Sequence, residues 1–378
     1  MPREIYLDHN ATTPLDPEVR EEMERLLRDC HGNPSSLHGP GRAARRIVEE
    51  ARERLADSLG AEAGEVYFTS GGTESNNLMI LGVEDRLQPL YTTAVEHPSV
   101  LEPARRRWRQ GVPGGLLEVD GEGRLREETP GDEERYRGAL VSIQWVNNET
   151  GVIQDLPRWC RHFQERGAVV HTDGAQGFFR LPHTIGELGV DAATVTAHKS
   201  FGPVGVGALY LRRGLIVDPV FCGGPQERKV RPGTENILAI HGMGVLADIA
   251  GRRRLWPEEA MRRKSRRLRD LLSALPGIRI LTPQEGSFPN TISVAFADLE
   301  AETLLVRLDM EGIAASSGSA CSSGAREPSH VLRAMGVPDR EIRGAVRLSS
   351  GPETTVEMLE QATARLGAIV GELRRRRR

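Results

Sequence analysis

Apolar positions recur every four residues from Gly41 to Leu59, at Ala43, Ile47, Ala51, Leu55 and Leu59. With about 3.6 residues per turn they share one face, so the pattern predicts an amphipathic helix that stops at Gly60. Beyond it the period shortens. Runs at 65–69, 90–95, 139–146, 168–172, 191–197 and 206–211 are rich in apolar and β-branched residues and predict strands. Helical stretches separate them. One opens at Ser70-Gly71-Gly72-Thr73 and runs through Leu78–Leu81, and others cover 99–110 and 155–166. Strands alternating with helices over about 200 residues predict an α/β fold, a mostly parallel sheet with helices on both faces.

Near 252–269 the chain turns strongly basic ("RRR", "RRKSRRLRD") and a helix is expected there. Shorter units follow at 291–297, 302–310 and 344–351, then a final helix. This shift predicts a boundary near 255, with a large domain at 14–255 and a smaller α+β domain at 256–378.

Composition removes several function classes. The formal net charge of −3 over 378 residues argues against a whole-chain polyanion binder. Arg252–Arg254, Arg262–Arg269 and the terminal "RRRRR" motivate a nucleic-acid reading, but a solvated helix face explains them as well, and direct binding is not expected. Cys30, Cys160, Cys222 and Cys321 are too scattered for a disulfide framework or a zinc site. The start "MPREIYLDHN" is not a signal peptide, and no apolar run approaches a membrane span. A soluble cytoplasmic protein is expected.

Of the 50 basic residues only Lys199, Lys229 and Lys264 are lysines. Lysine, unlike arginine, can become a neutral amine and a nucleophile. Lys264 falls in the basic helix, where it is expected to be solvated, and Lys229 in a charged loop. Lys199 alone follows a predicted strand.

Ligands of open parallel sheets collect at the carboxyl ends of the strands. After 65–69 comes Gly71-Gly72-Thr73, and after 90–95 comes Glu96-His97. The strand at 139–146 delivers Asn147-Asn148-Glu149; those at 168–172 and 191–197 deliver Asp173 with Gln176, and His198-Lys199. Each has a role if the ligand is pyridoxal 5'-phosphate. The glycine turn offers amides to a phosphate, Asp173 pairs with the pyridine nitrogen, and His97 lies on the ring. Gln176 meets the ring hydroxyl, Asn148 meets cofactor or substrate, and Lys199 forms the imine. Taken singly, the turn is equally a plain strand-to-helix connection, Asp173 a helix N-cap and His97 a polar loop residue. The convergence on one rim favours the cofactor.

The stretches "YLDHNATTP" (6–14), "GNPSSLHG" (32–39), "FTSGGTESNNL" (68–78), "VNNETG" (146–151), "HTDGAQ" (171–176), "AHKSFGPVGVGALY" (197–210), "RPGTEN" (231–236) and "SSGSACSSGAREPSHVLRAMG" (316–336) resemble the cysteine desulfurases. These are pyridoxal-phosphate enzymes of the class V aminotransferase group. The long segment around Cys321 is similar to their housekeeping and nitrogen-fixation branch. The resemblance implies a fold-type I homodimer, with residues 1–13 joining a small domain that carries the cysteine loop. It makes Lys199 the imine lysine, Asp173 the pyridinium partner, Gln176 the ring-oxygen contact and His97 the stacking imidazole and a proton acceptor. Gly72, Thr73, Thr196 and His198 fall on phosphate positions, and Thr234 reaches the phosphate from the partner subunit. Asn148 and Arg347 hold the substrate L-cysteine, and Cys321 is the nucleophile that takes its sulfur as a persulfide. The acceptor would be an iron–sulfur scaffold or a tRNA-thiolation enzyme.

Three departures stand out. Pro225 and Pro232 replace the common Gly and Ser near Thr234, Val204 replaces a common Lys and is expected on the surface, and the sequence reaches "RRRRR" soon after its last helix, where many relatives have a longer scaffold-docking tail, so docking of a scaffold there is not expected. Gly318 and Gly324 flank Cys321 in "ASSGSACSSG", a composition that would let the chain swing the thiol between cofactor and acceptor.

Overall fold

The computed structural model describes residues 4–83, 86–126, 133–318 and 328–376. Cys321 and Gly324 lie outside the described residues. The strands are β1 (Ile5–Tyr6), β2 (Val66–Thr69), β3 (Leu90–Thr93), β4 (Gly114–Leu117), β5 (Leu140–Ser142), β6 (Val169–Asp173), β7 (Ala192–Thr196), β8 (Gly207–Leu211), β9 (Ile278–Ile280), β10 (Thr291–Phe296), β11 (Ile313–Ala314) and β12 (Ala345–Ser349). Seven of them form one sheet in the order β2-β8-β7-β6-β5-β3-β4. β8 runs antiparallel to both of its neighbours, β2 and β7, and the remaining pairs are parallel. All strands but β8 therefore point the same way, and their carboxyl ends share one rim.

Alternation along each strand fills both sides of this sheet. Leu140, Ala192 and Leu209 join one apolar cluster, while their neighbours Val141, Ala193 and Ala208 join the other. The sheet is thus covered on both faces, as the near-continuous apolar strands require. The first helix read from the sequence runs Gly39–Leu59 and ends at Gly60, whose φ of 68° is left-handed backbone that glycine enters without a Cβ clash.

A second, three-stranded antiparallel sheet has the order β12-β10-β9, and β1 pairs with β11. Ile5 and Leu7 share an apolar cluster with Leu268, Val346 and Leu366. The amino terminus therefore packs with C-terminal elements before crossing to the large sheet, where the Thr13 amide bonds the His198 carbonyl at 3.0 Å. That crossing brings Asn10 to the rim.

Three local readings change. β5 ends at Ser142 rather than Val146, because the Gln144 amide donates at 2.7 Å to the Glu96 carboxyl instead of to a strand. The basic stretch is broken: one helix ends at Arg252 and the next, Glu258–Ser273, starts after Pro257. There Arg262 and Arg263 pair with Glu258 and Glu259 one turn earlier, and Arg267 with Glu360. Lys264 is not solvated. It is half-buried and donates to the carbonyls of Gly351 and Pro352 at 3.2 and 2.5 Å, because the loop after β12 passes over its helix. Val204, by contrast, is exposed as expected. Among the described residues no helix is long and apolar enough to cross a membrane, and no group of His, Cys, Asp and Glu could hold a metal ion.

Candidate active site

Asn10 is the hub of the rim. Its carbonyl accepts the Lys199 ammonium at 2.7 Å and the Gln176 amide at 2.9 Å. Lys199 Nζ also donates to the Ala11 carbonyl at 2.8 Å. The Asn10 side chain donates to the Asn148 carbonyl at 3.1 Å, and that carbonyl accepts Arg347 Nη1 at 2.8 Å. Three expected site residues, from the loops after β5, β6 and β7, thus meet at one asparagine, and Arg347 of β12 joins them through the Asn148 carbonyl.

A second chain of bonds joins Asp173 to His97. Asn76 Nδ2 donates to Asp173 Oδ2 at 2.9 Å and to Ser99 Oγ at 2.8 Å. Asp173 Oδ1 caps the Ala175 amide at 3.0 Å. His97 Nδ1 accepts from the Ser99 amide at 3.1 Å and faces Ser99 Oγ at 2.7 Å. With Nδ1 occupied as an acceptor, the neutral ring carries its proton on Nε2. Burial holds His97 below the ordinary histidine range; Asp173 opposes this, and Lys199 and His330 add to it.

The glycine turn has the geometry an anion needs. Gly71 has φ 152° and Gly72 opens the helix Gly72–Gly82, so first-turn amides at Gly72 and Thr73 have no intrahelical acceptor. A Cβ on Gly72 would press to 2.9 Å from Thr196 Cγ2, which ties the turn to the end of β7. Thr196 Oγ1 donates to the Ala175 carbonyl at 3.3 Å, and His198 Nδ1 lies 3.3 Å from Thr12 Oγ1. Burial, reinforced by Lys199 and Arg180, pushes His198 down to about 4. Thr73 is exposed. So is Thr234, on the loop that Arg231 ties to Glu74 at 2.9 Å. Gln176 Oε1 is buried without a partner. An unmet polar atom, a lysine amine, a carboxylate and free amides on one rim fit pyridoxal phosphate.

Arg347 is buried at 3% exposure, with Nη2 on Asp8 at 2.7 Å and Nε without a partner. Behind Asn148, Glu149 accepts the Ser329 hydroxyl at 2.6 Å, and a Cβ on Gly318 would collide with its carboxyl. Glu149 therefore touches both described flanks of the segment that contains Cys321. Burial raises its carboxyl above the usual range.

Sequence reasoning missed Asn10, Asn76, Ser99 and Arg180. Asn10 and Asn76 lie in quoted motifs, but which carbonyl or carboxylate they face is set by chain crossings.

Glu96 is wholly buried beside His97. One oxygen accepts Thr93 Oγ1 and the Gln144 amide, both at 2.7 Å, and the other has no partner. Burial outweighs those bonds and pushes its pKa up to about 8. The folded protein therefore keeps a proton that the unfolded chain loses. This stabilisation is complete below the ordinary value of 4.5 and is lost as pH rises through about 8. Glu96→Gln, which mimics the protonated acid, is expected to gain on wild type by on the order of a few kcal/mol between about pH 5 and about pH 8. Denaturant melts of both proteins across that range measure the gain, and a pH-independent difference contradicts it.

Residues 5–361 match the family described as Aminotransferase class-V. The cysteine desulfurase IscS of Dictyoglomus turgidum is 40% identical over 99% of this chain and 96% of that protein. A solved NifS-like protein superposes with a TM-score of 0.86 at 35% identity, covering 98% of this chain and 100% of that one. The structure of SspA in complex with cysteine is similar at a TM-score of 0.78 and 28% identity, over 93% of this chain and 100% of that one.

Proposed function

The chain belongs to the class-V aminotransferase family and is a pyridoxal-phosphate-dependent cysteine desulfurase, and from that premise we propose how its residues divide the work. Lys199 would hold the cofactor through its amine and would carry the substrate's α-proton. Asp173 would pair with the ring nitrogen and Gln176 with the ring oxygen, and His97 would stand beside the ring. Gly72, Thr73, Thr196 and His198 hold the phosphate. When bound, pyridoxal phosphate supplies a sink for the electrons left as that proton departs.

Cys321, as a thiolate, attacks the substrate's sulfur. A sulfur–sulfur bond forms and the carbon–sulfur bond breaks. The electron pair of the broken bond stays with carbon, which takes a proton and leaves as alanine, and Cys321 retains the transferred sulfur as a persulfide. His97, a neutral ring, accepts a proton at Nδ1, where it then donates to the Ser99 hydroxyl, and the imidazolium so formed can return a proton from Nε2. The meeting of Lys199, Gln176 and Asn148 at Asn10, with Arg347 joined to it through the Asn148 carbonyl, is the observation that carries this reading. The relative bound to cysteine supports the substrate.

Asn148 and Arg347 hold the substrate, Arg347 through its carboxylate. The unpartnered Nε of Arg347 supports that role. Arg347→Lys keeps the charge and loses the planar fork, so KM for L-cysteine is expected to rise about tenfold or more with kcat falling less. Steady-state alanine formation measures both, and an unchanged KM contradicts the assignment.

Thr234 acts on the phosphate of the partner subunit in a homodimer. Its exposure, and the exposed apolar side chains of Leu37, Val204 and Phe221, support that arrangement. The persulfide passes in the cytoplasm to an acceptor of the iron–sulfur-scaffold or tRNA-thiolation class.

A further inference from the structure

Arg180 is buried at 5% exposure, on the turn after β6, and forms no ion pair with a carboxylate among the described residues. Its donors converge instead on the Lys199 backbone and its surroundings. Nε and Nη2 both donate to the Lys199 carbonyl, at 3.1 and 2.6 Å. Nη1 donates to Asn10 Oδ1 at 3.0 Å, and Nη2 also reaches the His9 carbonyl at 3.2 Å. The guanidinium lies over the Trp256 ring at 4.6 Å and over Phe288 at 5.7 Å. Those faces answer part of its charge in a place without water.

These bonds close a ring. Arg180 holds the carbonyl of Lys199, the side-chain amine of Lys199 donates to the Asn10 carbonyl, and the Asn10 side chain returns to Arg180. One planar fork therefore fixes both the backbone of the lysine and the asparagine that receives its amine. A lysine at 180, with one ammonium, could hold the carbonyl or the amide oxygen but not both in this geometry. Burial pushes Arg180 down to about 9, so it is still a cation at neutral pH. A desolvated cation with no carboxylate partner among the described residues is costly, and packing against Trp256 and Phe288 alone does not call for one.

We propose that Arg180 is a positioning residue for the desulfurase reaction, triangulating the Lys199 backbone and Asn10 so that the lysine amine meets the cofactor in one orientation. The proposal rests on Lys199 being the residue that binds the cofactor. Its effect falls on covalent attachment and on turnover, not on capture of the cofactor, which the glycine turn and Asp173 perform.

The test uses the full chain stripped of cofactor, as wild type, Arg180→Met and Arg180→Lys. Capture of added pyridoxal phosphate is followed by tryptophan fluorescence, and covalent attachment by visible absorbance and by mass after reductive trapping. For Arg180→Met the expected results are capture within about threefold of wild type, attachment slowed by about tenfold or more, and kcat lowered with KM little changed. Arg180→Lys is expected to restore attachment in part. Attachment by Arg180→Met at the wild-type rate overturns the proposal. So does loss of capture and attachment together without recovery in Arg180→Lys, which marks a purely structural role. If Arg180→Met does not fold, the lysine variant decides, and a wild-type attachment rate there overturns the proposal. Covalent attachment that survives in Lys199→Ala overturns the underlying reading of Lys199 instead.

Discussion

Cys321→Ala is expected to bind pyridoxal phosphate as wild type does and to make alanine from L-cysteine at least about a thousandfold more slowly. The rim that would hold the cofactor is built from Asn10, Asn76, Asp173, Gln176 and Lys199, none of which depends on the thiol. Sulfur abstraction needs a thiolate, and the other cysteines are poorly placed to substitute for it. Cys160 is buried, and burial pushes its thiol up to about 12, so it stays protonated. Cys222 is exposed on a different loop, and Cys30 caps the helix Pro17–Asp29. Absorbance spectra and alanine assays on the same sample separate the two effects. Loss of bound cofactor would move Cys321 from chemistry to structure, and alanine production near the wild-type rate would remove it from the reaction.

Lys199→Ala is expected to give the second large effect: loss of covalent attachment, and turnover lowered by about a thousandfold or more. The amine donates to two carbonyls, at 2.7 and 2.8 Å. Removing it leaves the Ala11 carbonyl short of that donor, while the Asn10 carbonyl keeps Gln176 at 2.9 Å. The fold is therefore expected to persist, and pyridoxal phosphate to be held without a covalent bond through the proposed contacts of the glycine turn and Asp173. Added small primary amines are expected to recover part of the proton transfer. Equilibrium dialysis with the cofactor, beside alanine assays with and without amine, measures both parts. Covalent cofactor on another residue would contradict the assignment.

Much of this was legible before any coordinates. The 3.6-residue period at 41–59 marked a helix whose end Gly60 fixes, and apolar runs marked six of the seven strands of the large sheet. The missed strand, β4, reads "GGLL". Glycine carries no strand signal, yet it is needed there, because a Cβ on Gly114 would run into the Leu90 carbonyl. Strand ends were legible only where the backbone bonds its neighbours. β5 stops early because a buried carboxyl, Glu96, takes the next amide, and that carboxyl comes from another strand's loop. The same limit hid the Asn10 hub. A rule about strand carboxyl ends finds the residues that follow strands. It does not find an N-terminal segment that reaches the rim by crossing from the smaller sheet, nor a buried arginine that faces a lysine's carbonyl.

The most direct measurement of the central claim is the mass of the wild-type protein after exposure to L-cysteine, without reductant or acceptor, with peptide mapping. The account predicts one added sulfur per chain, located on the peptide that contains Cys321, and one alanine released for each sulfur gained. Alanine released with no sulfur on that peptide, or with the sulfur on Cys222 or Cys30, would contradict it.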